Sequence, residues 1–196
     1  QIGTSASGAV GVMFSAMAMI QAIGFTLGMG SGNYISRSLG SRDEETAAKS
    51  AATAFFTGGI IGILIAVFGT LFSRQLVFLL GATDTIAPFA QNYARYILAA
   101  APFMITSFVM NNILRAQGNA VFSMVGITAG GILNMFLDPV LIFGFHMGIS
   151  GAAIATMVSQ MVSFSILLFQ CNMQKGCIAI RISRFTPTLK IYGEIL

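Results

Sequence analysis

Long apolar stretches constrain the fold of this chain more than any other feature of its sequence. Of its 196 residues, 8% are charged and 56% are hydrophobic, and the mean hydropathy is +0.84. A soluble domain carries about 25% charged residues, so this chain has too few to cover a surface that faces water. The solvent that tolerates such a composition is lipid. The sequence therefore predicts an all-α, polytopic membrane protein.

Five apolar stretches have the length of about 20 residues that a helix needs to cross a bilayer. They cover residues 9–35, 51–72, 93–114, 121–143 and 151–169. Gly40 is a helix-stop residue after the first span. Ser41 and Glu44 have the spacing of a capping box, which predicts the start of the second helix. Pro102 predicts a kink in the third span.

The basic residues lie mainly on one side of the predicted bundle. All but two of the ten lysine and arginine residues fall in loops that alternate to the same side, and Arg74 and Arg95 fall on the other. The positive-inside rule places the richer side, with loops 37–49, 115–120 and 172–196, in the cytoplasm. The pI of about 9.4 then reflects orientation in the membrane, and no nucleic-acid partner is expected.

Residues suited to catalysis or to holding a transition metal are few. His146 is the only histidine, and the two cysteines, Cys171 and Cys177, are too few to complete a zinc site. We expect two free thiols on the reducing side of the membrane. The glycines of residues 28–32 resemble a phosphate-binding loop, but the strand that must precede such a loop is absent. With no nucleophile, base and orienting group, we expect neither enzymatic activity nor a cofactor.

Asp138 is a single carboxylate inside the fourth apolar span. It follows Leu137 and precedes Pro139 in an otherwise apolar run. An ionisable side chain at the centre of a span costs about 2.5–3.5 kcal/mol on the insertion scale, so such residues usually line a pathway or bind an ion. The alternative is a structural carboxylate that helix-end amides or a neighbouring arginine hold in place.

Three oxygen donors are predicted near Asp138. Asn134 lies four residues earlier and shares its helix face. Pro139 has no N–H, which leaves the carbonyl of Met135 without its usual helical partner. Thr156 and Asp138 each lie nine residues from the turn between the last two spans, so both are about 13 Å deep at 1.5 Å per residue. These hard donors suit Na⁺ or a proton. The alternative for Thr156 is a hydroxyl bonded to its own helix backbone.

Uncharged polar residues and glycine pairs also lie inside the spans. The polar residues are candidates for a substrate cavity, although each also suits a hydrogen bond between helices. They are Gln21, Asn111, Asn112 and Gln160. Glycines spaced by four let helices approach closely. Such pairs are Gly24 with Gly28, Gly58 with Gly62, and Gly126 with Gly130.

Three segments resemble the multidrug and toxic compound extrusion (MATE) family. They are Gly-Met-Gly-Ser-Gly-Asn-Tyr-Ile-Ser-Arg-Ser-Leu-Gly at 28–40, Leu-Arg-Ala-Gln-Gly-Asn at 114–119, and Asn-Met-Phe-Leu-Asp-Pro at 134–139. The Asn-x-x-x-Asp-Pro segment inside a span is the most specific of the three. The resemblance covers essentially the whole chain and matches the second to sixth helices of the family.

This resemblance implies a twelve-helix exporter of two six-helix lobes in the plasma membrane. The family exchanges organic cations, drugs or toxic metabolites for Na⁺ or H⁺ by alternating access. Residues 1–172 then correspond to the amino-terminal lobe without its first helix, and residues 173–196 to a cytoplasmic linker toward the second lobe. The chain begins at Gln1 and enters an apolar stretch almost at once, so we expect native sequence upstream.

The resemblance also implies a cation site. The family's ligands match Asn134, Asp138 and Thr156, and a further acidic ligand belongs to the first helix, which this chain lacks. The implied partners are organic cations, membrane lipid, and the first helix and second lobe of the same polypeptide. We expect no transport from these 196 residues alone.

Two other functions fit a polytopic helical chain. A lipid-linked oligosaccharide or polysaccharide flippase of the same superfamily usually has more cationic residues in its cavity, whereas the spans here lack Lys and Arg except near their ends. A non-transporting membrane scaffold subunit would make Asp138 a structural residue.

Overall fold

The computed structural model describes residues 4–173, 180, 182–186 and 188–195. Its five helices of membrane-spanning length and hydropathy confirm the predicted all-α architecture. These are α1 (Thr4–Gly40), α2 (Glu44–Leu71), α4 (Ala87–Ala116), α5 (Ala120–Pro139) and α6 (Gly148–Met173). Two short helices are α3 (Ser73–Leu79) and α7 (Leu189–Ile195), and a π-helical turn (Val140–Gly144) follows α5.

Parts of the predicted linker, residues 174–179, 181, 187 and 196, lie outside the described residues, and so does Cys177. Cys171 is buried near the end of α6. The described residues after α6 pack on α1 and α2. Arg37 of α1 forms an ion pair with Glu194 at 3.1 Å, and the hydroxyls of Thr57 and Tyr192 are 2.8 Å apart. These contacts fix α7 against the end of α1 and the middle of α2.

The start of α2 differs from the predicted capping box. Asp43 is the N-cap, and its carboxylate accepts a hydrogen bond of 3.0 Å from the backbone N–H of Thr46. Hydrogen bonds from the side chain and backbone of Thr46 lower the pKa of the Asp43 carboxyl. Ser41 instead donates its hydroxyl to the carbonyl of Ser38. The predicted Ser41–Glu44 box is therefore wrong, because the charged Asp43 lies at the helix start, where the dipole favours an anion.

The central helix of the bundle is α4. It contacts α1, α2, α3, α5 and α6. In its most apolar stretch of 18 residues, 72% of the residues are buried. The corresponding stretch within Ala120–Gly144 is 17% buried. The helix continues through Pro102 without a break. Every other spanning helix is therefore positioned against α4.

The three predicted glycine pairs lie at close helix contacts, as expected. Gly24 and Gly28 bring α1 against α4, Gly58 and Gly62 bring α2 against α4, and Gly126 and Gly130 bring α5 against α6. A methyl group on Gly28 would lie 3.0 Å from the carbonyl oxygen of Phe108. Side chains larger than hydrogen would force these backbones apart, so the glycines set the spacing of the bundle.

Candidate functional site

Asp138 lies in the last turn of α5 and is half-buried. The side-chain amide of Asn134 donates a long hydrogen bond, 3.4 Å, to its carboxylate. This contact confirms that the two side chains share one helix face. Within the described residues, Asp138 forms no ion pair with lysine or arginine. The structure therefore does not support a carboxylate held by a neighbouring arginine.

A π-helical turn follows Asp138 and was not predicted from the sequence. It begins at Val140, directly after Pro139, and the N–H of Phe145 donates to the carbonyl of Val140 at 3.1 Å. Single π turns of this kind occur frequently at functional sites. Because Pro139 carries no N–H, the ordinary helical hydrogen-bond ladder is already interrupted beside Asp138. The end of α5 is therefore a place where helical geometry changes next to a carboxylate.

Gly151 brings α6 directly against this π turn. A methyl group at Gly151 would lie 2.9 Å from the carbonyl oxygen of Leu141. Only a glycine permits two backbones to approach so closely without displacement. The contact joins the start of α6 to the end of α5 and so fixes the relative depth of the two helices.

Thr156 and Tyr93 complete the surroundings of Asp138. The hydroxyl of Thr156 donates to the carbonyl of Ala152 at 3.0 Å, which is the backbone bond foreseen as its alternative. The buried phenol of Tyr93 lies near the Thr156 hydroxyl and within electrostatic range of the Asp138 carboxylate. Side chains from α4, α5 and α6 thus meet at one level of the bundle.

Tyr93 was not predicted as a site residue; in the sequence it only begins the third span. The spacing of Tyr93, Ile97 and Ala101, four residues apart, places the phenol on an apolar face of α4. The structure shows that all three side chains are buried. A phenol on the buried face of a helix needs a polar partner. The identity of that partner required the three-dimensional packing, since Thr156 lies far along the chain.

The chemistry of this group is that of hard oxygen donors. A carboxylate, an amide and two hydroxyls are present, together with the Met135 carbonyl that Pro139 leaves unpaired. Within the described part of the chain, no three His, Cys, Asp or Glu residues come together. The arrangement suits a monovalent hard cation or a proton better than a transition metal.

A cavity of about 140 Å³ lies between α4, α5 and α6, and its lining on α5 begins about two helical turns from Asp138. Its lining includes Gly131, which is three residues from Asn134, or about 4.5 Å along the helix axis. Its lining also includes Gln160 and Ser107. The Ser107 hydroxyl is buried and has no hydrogen-bond partner among the described residues. Buried polar groups are normally paired, so this hydroxyl is available to a polar ligand or to water.

The four polar residues predicted to line one cavity do not share it. Gln160 lines the cavity of about 140 Å³, Asn111 one of about 320 Å³, and Asn112 one of about 390 Å³. Gln21 is half-buried on α1 and lines none of these three. Asn111 and Asn112 are consecutive, so they point about 100° apart around α4.

The hydrogen bonds of the two asparagines support a structural contribution. The amide of Asn111 donates to the carbonyl of Ser123 in α5 at 2.9 Å. The amide of Asn112 donates to the carbonyl of Phe108 in its own helix, also at 2.9 Å. Gln160 therefore remains the strongest of the four candidates for a substrate contact near Asp138.

Comparison with known proteins identifies relatives along almost the whole chain. The profile of the MatE family matches residues 1–140. The chain is 30% identical over 187 residues to the multidrug export protein MepA of Staphylococcus saprophyticus, and 31% identical over 189 residues to MepA of Staphylococcus aureus strain MRSA252. Each alignment covers 95% of this chain and 42% of the relative. The chain therefore spans less than half the length of these relatives.

Solved structures of similar fold agree with this assignment. An inward-facing multidrug resistance MATE family transporter of the MOP superfamily superimposes with a TM-score of 0.93 at 31% identity, over 99% of this chain and 44% of that one. A MOP superfamily transporter from Pyrococcus furiosus, whose binding pocket is described as having reverse polarity, gives a TM-score of 0.91 at 31% identity, over 100% of this chain and 43% of that one. The chain is a multi-pass membrane protein that belongs to the MATE family of transporters.

Proposed function

We propose that the full-length protein exports organic cations, drugs or toxic metabolites across the plasma membrane in exchange for Na⁺ or H⁺. Asp138 carries the coupling ion, and the protein works by alternating access. The multidrug export proteins among its relatives support small organic substrates. The positive-inside bias supports an orientation with the Arg37 and Arg115 ends of α1 and α4 in the cytoplasm.

The observation that carries this proposal is the Asp138 carboxylate in an apolar span, in contact with the Asn134 amide and within electrostatic range of the Tyr93 phenol. A bare carboxylate in an apolar span costs about 2.5–3.5 kcal/mol on the insertion scale. Binding of Na⁺ or of a proton removes that charge, while the neutral donors replace part of the water that the ion loses. Ion binding therefore converts a charged side chain inside the membrane into a neutral ion–carboxylate pair.

The donors described here form a partial site. Asp138 is half-buried, so one side of the carboxylate is open in this structure. The resemblance to the family implies a second acidic side chain from a helix that precedes this chain. Such a helix would cover the open side and complete the set of oxygen donors.

The adjoining cavity provides a physical link between ion and substrate. Neutralising Asp138 changes the electrostatic potential at the Gly131 and Gln160 lining, about one to two turns away. The interrupted ladder at Pro139 and the following π turn give the end of α5 freedom to rearrange. A ligand shifts an equilibrium between two conformations by its differential affinity for them. Ion binding at one end of α5 then favours the conformation that releases the substrate.

Transport by the purified full-length protein tests this proposal. The protein is reconstituted into vesicles that contain a fluorescent organic cation, and Na⁺ and pH gradients are imposed separately. We expect one of the two gradients to drive movement of the dye, and an ionophore that dissipates this gradient to stop it. Vesicles without protein and a fluorescent organic anion serve as controls. Movement of the dye that is independent of both gradients would contradict ion coupling.

Replacing Tyr93 with phenylalanine tests the ion site without altering the bulk of the core. The change removes the phenol oxygen and its interaction with Thr156 but keeps the aromatic ring. We expect the concentration of coupling ion needed for half-maximal transport to rise about two- to tenfold, the cost of one neutral hydrogen bond. Tyr96→Phe, on the same helix, is the matched control. Equal effects of the two changes would argue against a contribution of Tyr93 to the site.

A further inference from the structure

Arg115, at the end of the central helix, forms no ion pair with any residue that the structure describes. It lies one residue before the last residue of α4, and its side chain is exposed. The described ion pairs join Arg37 to Glu194 and Lys49 to Glu45, so neither uses Arg115. Arg115 lines two cavities, one on each side of α4. An arginine with free donors between two cavities is placed to receive an anion.

The larger of these cavities, about 390 Å³, has a polar end and an apolar end. Arg115 lies at the polar end with Ser36 and Asn33. The hydroxyl of Ser36 makes only a long hydrogen bond, 3.4 Å, to the carbonyl of Ala116. Arginine, amide and hydroxyl donors together match the oxygens of a phosphate group, and arginine binds phosphate through two parallel N–H donors.

The apolar end of the same cavity continues along α1. Phe25 and Met29 line it and are exposed, and both lie on the helix face that carries Ser36. From Phe25 to Ser36 the helix rises about 16 Å. The ring of Phe25 packs on Phe108 of α4 with centroids 4.8 Å apart, so α1 and α4 are in contact at this end of the cavity. This length and polarity fit a phosphate group that continues into a hydrocarbon chain.

We infer that this cavity binds a phospholipid, with the headgroup phosphate on Arg115 and an acyl chain along Phe25 and Met29. Basic pockets between transmembrane helices on the cytoplasmic side are typical sites for anionic headgroups. The positive-inside bias proposed above places Arg115 on that side. The inference does not depend on which ion drives transport or on whether Asp138 binds it.

Native mass spectrometry of the purified full-length protein tests this inference. Phosphatidylglycerol is titrated against the protein in detergent, with diacylglycerol of the same chain length and inorganic phosphate as separate ligands. Arg115→Gln removes the cation, and Arg115→Lys keeps the charge but loses the paired donors. Arg42→Gln is the matched control, because Arg42 is an exposed arginine that lines neither cavity. Thermal unfolding verifies that each variant is folded.

We expect Arg115→Gln to weaken retention of phosphatidylglycerol about ten- to a hundredfold, which is the cost of hydrogen bonds to a charged group. Arg42→Gln should leave it unchanged, and diacylglycerol should bind more weakly than phosphatidylglycerol. Equal retention by the Arg115 and Arg42 variants would overturn the inference. Displacement of the lipid by inorganic phosphate in an Arg115-dependent manner would assign the site to a soluble phosphate compound and overturn the lipid assignment.

Discussion

Replacing Asp138 with asparagine in the full-length protein should reduce ion-driven efflux to the level of vesicles without protein. Asparagine has nearly the size of aspartate and retains the hydrogen bond to Asn134. Its amide has no negative charge and takes up no proton near neutral pH, so it can neither bind H⁺ nor neutralise a cation. The coupling ion would then have no carboxylate to bind, so its gradient could not drive transport. The measurement is gradient-driven movement of a fluorescent organic cation in reconstituted vesicles.

Asp84→Asn provides the matched control for this change. Asp84 is an exposed carboxylate in the connection before α4, so the variant carries the same change in net charge without touching the site. We expect its efflux to equal that of the unmodified protein. Full efflux in the Asp138 variant would disprove the proposed coupling group. Loss of the folded protein, detected by thermal unfolding, would instead identify Asp138 as a structural residue.

Replacing Gly62 with alanine should cause the largest loss of stability among single-methyl changes in α2. The added methyl group would overlap the backbone of Pro102 in α4, which has no flexible side chain to move aside. Overpacking of this kind costs about 1–3 kcal/mol. We expect the free energy of unfolding to fall by that amount, as measured by titration of the full-length protein with a denaturing detergent.

Gly59→Ala is the matched control in the same helix. A methyl group at Gly59 would lie 3.7 Å from the methyl carbon of Thr106, which is an ordinary packing distance. Alanine also has the higher helix propensity, so stability should be unchanged or should rise by up to about 1 kcal/mol. Equal destabilisation by both changes would mean that the loss of glycine itself, and not contact with Pro102, is responsible.

The sequence was sufficient to predict the spanning helices and the close helix contacts at their glycines. Both follow from rules that operate within one helix: the length of an apolar run, and the small volume of paired glycines. The same local rules were wrong about where α2 begins, and they did not predict the short helix α3. The Ser41–Glu44 pattern has the spacing of a capping box, yet the charged Asp43 takes the N-cap position. The helix α3 was missed because it is short and lies between spans.

The candidate site was predictable only where it lies on one helix. The contact of Asn134 with Asp138 follows from their spacing of four residues. The π turn after Pro139 and the contribution of Tyr93 depend on how α4 and α6 pack against α5, which no local pattern contains. For the same reason, Asn111 and Asn112 looked equivalent in sequence but face different cavities. Tertiary packing, and not propensity, decides which polar side chains meet.

The central position of α4 has a consequence for how the protein is made. The α1 and α2 helices are synthesised before α4 but pack against it, and the last residue of α4 follows the end of α2 by 45 positions. At about 5–20 residues per second, the ribosome needs roughly two to nine seconds to deliver it. During that interval the contacts that Gly24 of α1 and Gly62 of α2 make with α4 cannot form. Insertion machinery or lipid must cover these two helix faces until α4 is inserted, and the centre of the bundle forms only then.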